Sequence, residues 1–302
     1  TIFVNNTAHQ LGGAITSWYQ KKLQLRNCKF YTNNANIGGA LWTRKIDSIL
    51  NINLNFISNH ARGMRGLAGA FRVLEVEYLR NVNCSFVQNT AHQGGGIYAI
   101  DILEVTDINS LFHLNQASQG SGGITIYNVG QVTNIATYFS DNFGPEAGAL
   151  KADGSTKVIN IKVTFYENKA ISGGAVYHFS NVESVVNINS SFIKNSVKSG
   201  HITETDFVKS LILNNSLFVH NIGSATLFAE ECDLILIFNS YFLNNYCAIF
   251  MVEVDSVEIT FSVFDRNRGE TGSAITVQVT DFLYIYCCRF LKNRAEHRAA
   301  AV

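Results

Sequence analysis

The chain has 302 residues, 47% of them hydrophobic and only 15% charged, which supplies a large core and argues against disorder. Its 23 basic and 23 acidic residues sum to zero net charge, which argues against a nucleic-acid partner, since neutralising phosphate needs a basic surface. No apolar run approaches the ~18–20 residues of a membrane span, and the opening "TIFVNN" is not a basic-then-apolar leader.

Read from the N-terminus, one phrase recurs. "NTAHQLGGAI" spans Asn6–Ile15, "NNANIGGAL" Asn33–Leu41, "NTAHQGGGIY" Asn89–Tyr98 and "NKAISGGAV" Asn168–Val176. Each begins at the Asn of a Phe-x-x-Asn. The phenylalanines are Phe3, Phe30, Phe56, Phe86, Phe112, Phe139, Phe165, Phe192, Phe218, Phe242, Phe264 and Phe290, with Asn three residues after every one, from Asn6 to Asn293. A period of roughly 22–30 residues is the signature of a solenoid.

The residues before each Phe identify which solenoid. "VINIKVTF" (Val158–Phe165) and "VVNINSSF" (Val185–Phe192) are β-branched with period two, which predicts strands rather than a helical return. Two residues before Phe lies a small column: Cys28, Cys84, Ser110, Thr137, Ser190, Ser216, Ser240, Ser262 and Cys288. Four before lies an apolar one: Ile52, Val82, Ile108, Ile135, Ile161 and Ile188. By strict alternation both are expected to share the core face with Phe. Asn27, Asn53, Asn83, Asn109, Asn189, Asn215 and Asn239, three before, are expected outside or in a bend.

Coils stacked in parallel place like over like about 4.8 Å apart. Phe then stacks on Phe inside. The Asn three residues later forms a ladder within a turn, donating to one coil and accepting from the next, and it tolerates the left-handed conformation that a tight corner asks for. Small residues such as Ala35, Ala61, Ala91 and Ala170 fit the corner after it. Paired glycines, as at Gly94/Gly95, supply positive φ or close backbone approach. The glycine pair fades in the last four coils, and "RAEHRAAAV" at the end resembles the phrase with alanines for glycines. Pro145 is the only proline and no linker divides the chain. The expectation is an all-β, right-handed parallel β-helix of about twelve coils. It would be one domain over 1–302, a segment of a longer chain or one whose uncapped ends a partner or another copy covers.

Phe-x-x-Asn alternating with Gly-Gly-Ala-(Ile/Leu/Val), as at Gly12–Ile15, Gly38–Leu41 and Gly173–Val176, resembles the repeat pair of the chlamydial polymorphic outer membrane proteins. Large β-helical surface proteins of protists carry similar repeats. The resemblance implies a secreted passenger used in adhesion, which in that family precedes a membrane barrel; no barrel is read in these residues.

Candidate chemistry is sparse, and no catalytic, cofactor-binding or metal residue is assigned. Asp206, Glu231/Asp233, Glu253/Asp255 and Asp281 form an acidic stripe at one corner. In register they would repel unless a Ca²⁺ relieved them. Asn128 and Asn181 occupy the same corner earlier, so turn capping is the plainer reading of the stripe. Polysaccharide lyases on this fold pair carboxylates with Lys or Arg, and no basic column accompanies the stripe. His9, His60, His92, His113, His178, His201, His220 and His297 read as surface or turn residues. The six Cys match neither a disulfide framework nor a zinc pattern and read mostly as small core fillers. Sequons stand at Asn5, Asn83, Asn189 and Asn214; in a secreted eukaryotic protein these positions would accept glycans, and in an Asn-rich chain such triplets also arise by chance. Trp18, Tyr19, Trp42, Tyr138 and Tyr241 are outward aromatics suited to contact. The expectation is a non-enzymatic structural or adhesive module at a cell surface, with protein partners, self-assembly or carbohydrate in view. A polysaccharide-active or carbohydrate-binding β-helix is the alternative.

Overall fold

The computed structural model describes residues 1–63, 66–270 and 272–297. Ala299–Ala301 of the closing phrase lie outside them. The described residues form strands and turns only, coiled as a parallel β-helix of about eleven turns. Twelve three-residue strands, from Ile2–Val4 to Arg289–Leu291, make one sheet, each centred on a motif Phe. Seven two-residue strands, from Asn34–Ala35 to Ser196–Val197, make a second. Fifteen longer strands make the third. In its first half, strands such as Leu41–Ile52, Phe71–Val82 and Ile97–Ile108 pair in parallel with like residues opposed.

Register places Phe on Phe throughout. Consecutive motif rings from Phe3 to Phe290 stack with centroids between 4.3 Å (Phe192–Phe218) and 5.2 Å (Phe139–Phe165). Strand spacing sets that distance, so the rings lie face to face. The rings from Phe30 to Phe264 are fully buried, each removing a large apolar area from water.

The Asn ladder runs unbroken from Asn6 to Asn293. At Asn89, Nδ2 donates to Phe56 O (2.9 Å) and to Asn115 Oδ1 (2.9 Å), while Oδ1 accepts from the backbone N and the Nδ2 of Asn59 (both 3.0 Å). A primary amide has two N–H donors and two acceptor lone pairs, and this site uses all four. The left-handed residue of that turn is the one before the Asn, with φ of 55° at Gln88 and Leu114. The Asn side chain reaches along the axis while its neighbour makes the corner.

The column four before Phe does not share the core. Ile52, Val82, Ile108, Ile135, Ile161 and Ile188 are only partly buried. The residue three before Phe, such as Asn83 (φ 51°) or Asn109 (φ 50°), is left-handed and breaks the alternation. The inward columns upstream of that bend are therefore five and seven before Phe. The nearer one holds buried Asn51, Asn81, Asp107, Asn134, Asn160 and Asn187; the farther one is apolar, with Leu79, Val105 and Val132. A third left-handed column (Lys45, Glu75, Asp101, Asn128) folds each long strand into two faces.

The glycines divide the two tasks expected of them. Gly94 has φ of 66°. A Cβ on Gly95 would stand 2.4 Å from Gly122 O and 2.7 Å from Gln116 N. Buried Ala35, Ala61, Ala91 and Ala170 line the corner as expected.

Candidate functional site

The long sheet carries an outward row whose members oppose one another turn by turn. It runs Trp42, Arg72, Tyr98, Thr125, Lys151, His178, Glu204, Phe228. Unusually for an outer face, its first half is closed off. Trp42, expected as an exposed aromatic, is only 9% exposed, because Trp18 packs edge-on against it at 6.0 Å and Arg72 lies beside it. Arg72 places its guanidinium 4.3 Å from the Tyr98 ring centroid, and burial lowers its pKa to about 10. Trp18, Tyr19, Tyr138 and Tyr241 are exposed, as expected.

The chemistry of the row concentrates at His178, on strand Gly174–Ser180, and at Glu204 and Asp206, on strand His201–Asp206. A bulge between Gly174 and Tyr177 shifts the register by one residue and sets His178 opposite Glu204. Bulges re-aim side chains in this way. Nε2 of His178 lies 3.4 Å from Asp206 Oδ2, and Nδ1 lies 3.7 Å from Glu204 Oε1. One ligating atom from each of the three residues falls within 4.8 Å of the other two. His178 Nδ1 and Asp206 Oδ1 are sealed from solvent without a hydrogen-bond partner. Burial would lower the His178 pKa, but the hydrogen bond to Asp206 and the charges of Glu204 and Asp206 outweigh it and raise the value. Burial, with Asp206 and Glu230, raises that of Glu204 against the pull of His178.

Beside the cluster, His201 stacks on Phe228 with centroids 3.9 Å apart. It borders a cavity of about 270 Å³ whose other walls include Tyr246, Cys247, Phe250 and Glu270. Burial lowers the His201 pKa to about 4 against a smaller upward pull from Asp206.

His178 and His201 are thus strand residues, half-buried, and not the surface or turn positions read from sequence. The signal was present: Glu204 lies one coil after His178, and Asp206 is the next residue on the same face.

The acidic stripe does not assemble as one row. Asp206 opposes Glu230 rather than Asp233. Glu231 (φ 50°) and Glu253 (φ 52°) sit in the left-handed corner with Asn128 and Asn181, where turn geometry accounts for them. Asp233, Asp255 and Asp281 occupy equivalent exposed places two residues on, and among the described residues they join no three-ligand group.

Of the sequons, Asn5, Asn83 and Asn189 are exposed and Asn214 is partly buried. Asn83 Nδ2 donates to Asn53 Oδ1 (3.3 Å), within a second, external amide ladder. Cys28, Cys84, Cys232 and Cys247 are buried free thiols, consistent with core fillers. Cys287 is exposed and Cys288 partly so.

Among the described residues no helix is long and apolar enough to cross a membrane. Neither a search of curated proteins nor one of solved structures returned a match. Residues 83–100, which hold Phe86, Asn89 and the glycines before Ile97, match the Chlamydia polymorphic membrane protein repeat. The chain is therefore a parallel β-helix carrying a repeat of the Chlamydia polymorphic membrane protein type.

Proposed function

We propose that the chain is a structural or adhesive module of a surface-exposed protein, a stiff shaft that projects or spaces binding surfaces. The observation that carries this reading is the continuity of the two internal ladders. Phe rings and Asn amides stack without a gap from the first coil to the last, so each coil is clamped to its neighbours by the same contacts. About eleven steps of ~4.8 Å give a shaft on the order of 50–60 Å long. The match to a membrane-protein repeat supports placement at an outer surface. The outer face carries partly buried Ile108 and Ile135 in a recess with Tyr78 and Arg80, a mixed surface suited to lateral contact with protein or glycan.

Small-angle scattering of the purified chain, together with binding of chain-coated beads to cells and to immobilised glycans, tests the proposal. A rod-like profile with saturable adhesion supports it. Turnover of an acidic polysaccharide, abolished by Asp233→Ala/Asp255→Ala, would replace it with the enzymatic alternative.

A further inference from the structure

We propose that His178, Glu204 and Asp206 form a binding site for a zinc-class divalent cation on the outer face of the β-helix. The donor set is one imidazole and two carboxylates, the mixed nitrogen and oxygen set that zinc accepts. Calcium prefers six to eight oxygens and magnesium a largely hydrated oxygen octahedron, and neither matches three groups of which one is nitrogen.

The geometry supports it. Ligands held at ~2.1 Å around a tetrahedral ion lie about 3.4 Å apart, and His178 Nε2 to Asp206 Oδ2 is 3.4 Å. Glu204 Oε1 lies 3.7 Å from the other ring nitrogen, which brings the third donor to the same place. All three donors already fall within 4.8 Å of one another.

A second observation points the same way. Buried polar atoms in folded proteins nearly always find partners, yet Asp206 Oδ1, the second oxygen of a ligating carboxylate, and His178 Nδ1, which faces Glu204 Oε1 at 3.7 Å, have none, so the protein alone leaves this cluster's polar groups unsatisfied. A cation at this place would neutralise two carboxylates standing together and would draw Asp206 and Glu204 into one coordination sphere. The site is pinned on both sides. The bulge before Tyr177 fixes His178, and the backbone at Gly173 packs so closely that a Cβ there would lie 2.9 Å from His178 Nδ1. The ligands come from two successive coils, so the ion would bridge turns of the helix as well as fill a site.

The test is titration of the purified chain with zinc chloride by calorimetry, with calcium chloride as comparator and melting followed in parallel. The parent chain is expected to bind one zinc ion that calcium does not displace, and to melt at higher temperature when loaded. His178→Ala, Glu204→Gln and Asp206→Asn are each expected to weaken that binding at least tenfold, while His201→Phe, in the neighbouring cavity, retains it. Circular dichroism of each variant confirms the fold before titration, and the glutamine and asparagine variants carry the test if the alanine variant unfolds. Absence of zinc binding by the parent chain, or zinc affinity unchanged in all three ligand variants, would overturn the proposal. Neither result bears on whether the shaft is adhesive.

Discussion

Asp107 and Asn134 face each other in register at the centre of the core, and each leaves one side-chain oxygen buried without a partner. Asp107 Oδ1 accepts from Asn81 Nδ2 at 2.8 Å, and Asn134 donates onward to Asn160 Oδ1 at 2.8 Å. That leaves Asp107 Oδ2 and Asn134 Oδ1 as two acceptors across the missing rung. A proton on Asp107 Oδ2, donated to Asn134 Oδ1, completes the row. Burial raises the Asp107 pKa from 3.8 to about 7, against the smaller lowering effect of Asn81, so the carboxyl is largely neutral under mildly acidic conditions.

The linkage follows in sign. A folded pKa above the unfolded one contributes stability that is fully present below about 3.8 and is lost as pH rises through about 7. The full loss is at most on the order of 4 kcal/mol. Asp107→Asn supplies a permanent donor toward Asn134. We expect this variant to melt several degrees above the parent at pH 8, with the gain shrinking steadily toward pH 4. A gain independent of pH would show that Asp107 does not carry the proton.

The external ladder residue Asn83 and the internal Asn89 lie six positions apart and make different predictions. Asn89→Ala removes the acceptor of the Asn59 amides and the donor to Phe56 O. Each buried group left unpaired costs ~1–3 kcal/mol, so the total is expected to reach at least about 3 kcal/mol. Asn89→Asp keeps the acceptor but turns a carboxylate toward Asn115 Oδ1, and at pH 7 it is expected to destabilise as much. Asn83→Ala removes one exposed 3.3 Å bond and places an alanine at φ 51°, where asparagine is tolerated better, so it is expected to cost about 1 kcal/mol, still less than Asn89→Ala. Denaturant melts of the three variants at one pH check the ranking.

The sequence discloses the two ladders because they repeat. Twelve copies of Phe-x-x-Asn leave no other consistent register, and the structure keeps it from Phe3↔Phe30 to Phe264↔Phe290. What repetition hides is backbone parity. Alternation counts Ile108 inward with Phe112, but Asn109 is left-handed and turns Ile108 out and Asp107 in. The spacing of His178 to Glu204, one coil, could be counted in the sequence; what could not be read was the extra residue between Gly174 and Tyr177 that re-aims His178, because a one-residue bulge has no periodic signature.

The second glycine of the pair is a contact position. At Gly95 the added methyl of an alanine would meet Gly122 O at 2.4 Å and both the N and O of Gln116 at 2.7 Å. These are backbone atoms of the next coil and have no rotamer through which to yield. Gly95→Ala is expected to cost well over 1–3 kcal/mol, the usual penalty of overpacking, and to open the stack at that turn. Hydrogen exchange is expected to show lost protection centred on residues 89–97 and 115–124, with distant coils retaining theirs. Uniform loss across all coils would mean that the turns are more strongly coupled than a nearest-neighbour stack allows.

His201 provides an acid-side counterpart to Asp107. Its ring stacks on Phe228, its Nδ1 has no partner, and burial lowers its pKa from 6.5 to about 4. A histidine held neutral in this way contributes stability that is complete above about 6.5 and is lost as pH falls through about 4, because only the unfolded chain takes up the proton in between. The loss is up to about 3 kcal/mol. Replacement by Phe preserves the stacked ring, removes the orphaned nitrogen and removes the titration. His201→Phe and the parent chain are therefore expected to melt at similar temperatures at pH 7.5 and to diverge in favour of the variant between pH 6.5 and 4. Parallel profiles over that range would show that His201 takes up its proton in the folded chain. The cavity beside it would then open readily enough to hydrate an imidazolium.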